Sequence, residues 1–170
     1  EGMAILAGDG LLTDAFRVLA EAPSSAVDQA APVAPAERRL EAVRLLAEAA
    51  GSRGMVGGQA IDLAAVGAGA SLDAASLADM HARKTGALIR AACVLGAVMT
   101  GAPAREREAI DRYAAELGLA FQIVDDILDV EGSAEALGKT AGKDAAAGKP
   151  TYPALYGLDE SKAMAAACIR

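Results

Sequence analysis

Asp125, Asp126 and Asp129 stand in the run Phe121-Gln-Ile-Val-Asp-Asp-Ile-Leu-Asp-Val130, three carboxylates in an otherwise apolar stretch. On an α-helix, with Asp125 set at 0°, Asp129 falls near roughly 40°, Gln122 near 60° and Asp126 near 100°. Ile110, Leu117, Phe121, Val124 and Leu128 occupy the neighbouring arc and form an apolar wall beside the acids. Two carboxylates about 6 Å apart repel by about 3 kcal/mol at an effective dielectric of 20. A divalent cation removes that repulsion, and a hard ion such as Mg²⁺ takes oxygen ligands, phosphate oxygens among them. The alternative is a solvated acidic patch. Against it stand Ile123, Val124, Ile127 and Leu128, which make the helix apolar nearly all round and so a buried one, where acids need partners. A calcium loop fits less well, because its ligands alternate along an extended loop with a central glycine.

Other polar residues gain meaning only in combination. Gln59 and Asp62 are three apart and share a helix face; alone they read as polar decoration. Lys84 and Thr85 precede Gly86 in the middle of a long helical pattern. Glycine, and a threonine able to bond back to the preceding turn, predict a kink that frees a backbone carbonyl toward a cavity. Thr85 and Gln122 are equally able to satisfy buried backbone groups. Lys139, Lys143, Asp144 and Lys149 lie in a glycine-rich stretch after the acidic helix. Such a cationic loop suits a diphosphate held by metal, although a lone Lys84 or Lys139 reads as a solvated lysine. His81, the single histidine, reads as a surface or interface residue rather than a catalytic one.

Helices must carry these groups. Hydrophobic residues make up 54% of the chain but aromatics only 3%, so the core is aliphatic and alanine-rich, which favours close-packed helices over strands. The pattern predicts helices over 1–21, 36–50, 55–66, 73–99 and 104–130, then a short one from Thr151 and a last one from Glu160. Leu40, Val43 and Ala47 are expected to face inward on the second. Proline and serine make 22–35 a loop, Gly51 to Gly54 a break and 67–71 a turn. Asp73 is placed to cap the helix that follows it.

The 170 residues suffice for one domain, 1–170. A net charge of −7 argues against a general nucleic-acid binder. Cys93 and Cys168 form no metal-type pair, which suits a reducing, cytoplasmic setting. The longest charge-free run, Ala91 to Ala104, is too short to span a bilayer. The chain opens at Glu1 inside one apolar-periodic segment and stops at Arg170 inside another, as expected of a piece of a longer protein.

Gln122 to Asp129 resembles the second aspartate-rich motif of the trans-isoprenyl diphosphate synthases, the polyprenyl synthetases. Around it, in that family's order, stand Gly58-Gln-Ala-Ile-Asp62, Lys84-Thr85-Gly86, Phe121-Gln122, Leu137-Gly-Lys139-Thr and Lys149-Pro-Thr-Tyr-Pro153. The run His81 to Arg90 looks especially like bacterial farnesyl diphosphate synthases. The resemblance covers essentially the whole chain. It implies an all-α isoprenoid-synthase-type bundle, here incomplete at both ends, that pairs as a homodimer. It also implies condensation of an allylic diphosphate with isopentenyl diphosphate. The allylic diphosphate ionises with the help of three Mg²⁺, and the isopentenyl double bond attacks the allylic cation. Asp125 would ligate one Mg²⁺ directly, and Asp126 and Asp129 through bound water. Lys84 and Lys139 would grip the allylic diphosphate. Thr85 and Gln122 would aim oxygens at the cation, and Gln59 and Asp62 would order the water and metal shell.

The resemblance further implies a first aspartate-rich motif, which these 170 residues do not contain. Nor do they contain the family's basic residues for isopentenyl diphosphate. Farnesyl product is favoured over geranylgeranyl, with length set outside this stretch. The alternative is a non-catalytic regulatory partner of an active synthase. Such a partner need not keep metal ligands; here Asp125, Asp126, Asp129, Lys84 and Lys139 are all present.

Overall fold

The computed structural model describes residues 2–21, 34–68, 72–131 and 151–169. Among them every regular element is helical: α1 Gly2–Ala20, α2 Ala36–Ala50, α3 Met55–Ala68, α4 Ala74–His81, a π-helical turn Ala82–Gly86, α5 Ala87–Thr100, α6 Ala104–Glu131, α7 Tyr152–Tyr156 and α8 Leu158–Ala167. The expected all-α bundle is the one observed. The loop expected over 22–35 lies largely outside the described residues; of the turn expected over 67–71, residues 67 and 68 continue α3 and 69–71 lie outside them.

Local chemistry sets the ends. The Asp73 carboxylate accepts from the Ser76 N–H at 2.8 Å and caps α4. That bond holds Asp73 below the ordinary carboxylate pKa. The expected kink at 84–86 is the π-helical turn. Thr85 does not bond back to the preceding turn, however; its hydroxyl reaches across to α6. Gly101 ends α5 with φ of 74°, a left-handed conformation that glycine adopts without a Cβ clash.

The long helix α6 is the spine. It packs most extensively on α5 and α8, and α2 packs in turn on α5. The main cluster joins Leu77 and Met80 of α4, Ile123 and Ile127 of α6, Tyr152 of α7 and Ala165 of α8. Two expected faces are corrected. On α2 the buried residues are Ala42, Leu46, Ala49 and Ala50, whereas Leu40 and Ala47 are exposed. On α6 the wall residues Leu117, Phe121, Val124 and Leu128 are exposed, and the inward stripe runs through Gly118, Gln122, Ile123 and Asp126. In both cases small residues let a neighbouring helix come closest, and that approach fixes the inward face more than bulk does.

Candidate active site

Two glycines set the geometry. A Cβ on Gly58 of α3 would lie 2.2 Å from the Lys84 nitrogen and 2.6 Å from its Cα. Bare backbone therefore lets α3 press against the π-helical turn. Four residues on, along the same face, Asp62 meets Lys84, with Nζ to Oδ2 at 2.6 Å. On the other side a Cβ on Gly118 would come within 3.0 Å of Gly86 Cα. Four residues on again, Gln122 meets Thr85, whose hydroxyl donates to Oε1 at 3.0 Å. Lys84 and Thr85, adjacent in the π-helical turn, thus address two different neighbours.

Between them lies a cavity of about 160 Å³. Asp62, Lys84, Thr85, Gln122, Asp125 and Asp126 line it, with His81, Met80, Phe121 and Thr151. Six of the nine expected site residues therefore converge. Asp129 is buried on α6 but does not line the cavity, and neither does the half-buried Gln59. Lys139 lies outside the described residues.

The three lining carboxylates face one lysine. Asp62 is buried and engaged with Lys84, which leaves that ammonium two further donors. Asp126 is only 3% exposed. Its Oδ1 accepts from Gln122 Nε2 at 2.9 Å and its Oδ2 from the Tyr152 backbone N–H at 2.9 Å. Asp125 is half-buried and stands closer to solvent at the same cavity. The balance is negative, which attracts a cation.

His81 corrects the sequence reading, because it is buried. It stacks on Tyr152 at 5.7 Å between ring centroids, and its Nε2 lies 3.8 Å from Asp126 Oδ2. Burial, and then the charge of Asp126, push the Tyr152 phenol up to about 12. Thr151 and Tyr152 stand in the Lys149-Pro-Thr-Tyr-Pro153 run noted in the sequence, but no site role was expected of either. His81 carried a usable signal, since it sits three and four residues before Lys84 and Thr85, on the same helical face.

The polyprenyl synthetase family model matches residues 1–170. The chain belongs to that family. A farnesyl diphosphate synthase from Geobacillus stearothermophilus is 46% identical over 162 residues, 95% of this chain and 52% of its own. A chloroplastic geranylgeranyl pyrophosphate synthase from Arabidopsis thaliana is 49% identical over 166 residues, 97% of this chain and 44% of its own. A Helicobacter pylori geranyltransferase, solved with magnesium and isoprenyl diphosphate, superposes with a TM-score of 0.77 at 30% identity. That match covers 99% of this chain and 51% of the solved one. The chain spans about half the length of these polyprenyl synthetases.

The donor set would suit magnesium, the ion with which the Helicobacter pylori structure was solved. Among the described residues no three carboxylate, histidine or cysteine side chains gather into a protein-only metal cage. Mg²⁺ rarely needs one: it keeps several waters and takes one or two carboxylates plus substrate phosphates. Asp125, at the cavity and nearer to solvent than Asp126, offers one carboxylate that would suit such an ion.

Proposed function

We propose that the full-length protein is a Mg²⁺-dependent prenyltransferase, condensing an allylic diphosphate with isopentenyl diphosphate to give a short-chain prenyl diphosphate, farnesyl before geranylgeranyl. The observation that carries this reading is the convergence of Asp125, Lys84, Thr85 and Gln122 on one cavity between α3, the π-helical turn and α6.

Each group has work suited to its chemistry. Bound Mg²⁺, three ions in the complete enzyme, would neutralise the diphosphate as a leaving group. Asp125 would hold one of them directly, and Asp129 through bound water. Lys84, steadied by Asp62, donates to diphosphate oxygens as a charge fixed before substrate arrives. Lys139 is assigned the same task from sequence alone, and Gln59 the ordering of nearby water. Gln122 Oε1 and the Thr85 hydroxyl oxygen present negative dipole ends where positive charge develops on the allylic carbon. Met80 and Phe121 supply apolar surface that keeps water from that carbon.

A second copy of the chain is the proposed partner of α1, whose Met3 and Leu11 are 79% and 72% exposed and which buries no residue. The cytoplasm is the proposed setting, in keeping with the two free cysteines. The test is to incubate the full-length protein with isopentenyl diphosphate, Mg²⁺ and allylic diphosphates of increasing length. A farnesyl product is expected; absence of any prenyl product across the series rejects the reading in favour of a non-catalytic partner.

A further inference from the structure

We propose that Asp126 is a positioning residue that sets the orientation of the Gln122 amide, rather than a metal ligand. The inference rests on the prenyltransferase reading above. A glutamine amide offers an oxygen on one side and an NH₂ on the other, and the two differ little in shape. Which side faces a substrate is decided by what the other side meets. The ionised Asp126 carboxylate only accepts hydrogen bonds. It lies 2.9 Å from Gln122 Nε2, so the amide must turn its NH₂ inward. The flipped amide would set an oxygen against an oxygen at that distance. Oε1 is thereby directed to the Thr85 hydroxyl and the cavity.

The carboxylate is itself locked. Its second oxygen takes the Tyr152 backbone N–H at 2.9 Å, which ties the start of α7 to α6. The Tyr152 ring lies on His81, and the His81 ring closes over the same oxygen at 3.8 Å. A charged acceptor makes these bonds roughly twice as strong as neutral ones. The order of control therefore runs from Tyr152 N–H to Asp126, to Gln122, to the oxygen that faces the reacting carbon. Adjacent aspartates divide the labour: Asp125 stands nearer to solvent, and Asp126 is buried among donors.

An exchange of hydrogen-bond polarity tests this in the full-length protein. In D126N the single amide oxygen takes the place of the oxygen that accepts the Tyr152 N–H, and Nδ2 takes the place of the other and confronts the Gln122 NH₂. The amide flips, and a donor replaces the acceptor in the cavity. The expected result is a loss in kcat of about 100-fold, with half-saturating Mg²⁺ changed by less than about twofold. Q122E alone sets two carboxylates together and loses activity too. The double variant D126N/Q122E restores the match. The introduced amide then donates through its NH₂ to one oxygen of the introduced carboxylate, and the other oxygen faces Thr85 and the cavity. At least about a tenfold recovery of kcat over D126N is expected.

Thermal unfolding of the same four proteins reads the bond without turnover. Each single variant should lower the midpoint by roughly 2–6 °C, with most of the loss regained in the double. A D126N enzyme that needs at least about tenfold more Mg²⁺ and regains full kcat when saturated would overturn the proposal, because that is a ligand's signature. So would a double variant that melts like wild type yet recovers no kcat. If wild type turns over no diphosphate pair, the prenyltransferase reading falls. The melting cycle still decides whether Asp126 governs Gln122, and no regained midpoint in the double variant refutes it.

Discussion

The two halves of α6 use charge in opposite ways. From Ala104 to Leu117 the helix carries Arg105, Glu106, Arg107, Glu108, Asp111, Arg112 and Glu116, and buries only Ala114. Its charges pair at the surface, Arg107 with Glu41 at 3.1 Å and Asp111 with Arg90. From Gly118 to Glu131 the same helix has fewer charges but buries Gln122, Asp126 and Asp129 among Ile123 and Ile127. A surface charge costs little and stabilises little. A buried one persists only where the fold supplies donors. Dense charge in the first half therefore marks solvent, and sparse charge in the second marks the site.

Substitutions should separate the halves. The largest effect is expected from Asp125→Ala in the full-length protein: turnover falls by about 10³-fold, while the unfolding midpoint stays within a few degrees of wild type. Near-normal turnover would remove Asp125 from the metal role. Next comes Gly58→Ala, which leaves α6 intact but pushes a methyl into Lys84 backbone. It should cost about 2–3 kcal/mol in stability, measured by urea unfolding, and should also depress activity by separating Asp62 from Lys84. Unchanged stability would mean that α3 and the π-helical turn are not held in that close approach.

The smallest effect belongs to the first half. Arg90 holds Asp111 below its ordinary carboxylate value, chiefly through their hydrogen bonds. Because the folded value is depressed, the pair stabilises above the unfolded value, about pH 4. That contribution is lost as pH falls through the lower folded value. The pair is largely solvent-exposed and screened, so Asp111→Asn should cost under about 1 kcal/mol at neutral pH. Stability profiles of wild type and variant should converge in acid. A loss as large as that of Gly58→Ala would break the contrast between the two halves.

Helix positions were legible in the sequence because periodicity, Pro, Gly and the Asp73 cap are local signals. α2 was bounded at Ala36 and Ala50, and α3 runs only two residues beyond its expected end. Which face turns inward was less legible. The Leu117, Phe121, Val124 and Leu128 stripe is real, yet the neighbours of α6 approach where Gly118 and Gly86 leave room. Lys84, Thr85, Gln122 and Asp125 were legible as a set. The bond from the Tyr152 backbone to Asp126 was not, since 26 residues separate the two and a main-chain N–H leaves no trace in residue type.

Calorimetric titration of inorganic pyrophosphate into the full-length protein, with and without Mg²⁺, tests the central claim most directly. Binding should require Mg²⁺ and weaken at least about tenfold in Asp125→Ala. Pyrophosphate that binds equally well without the ion, or equally well to that variant, would contradict the assignment of this cavity.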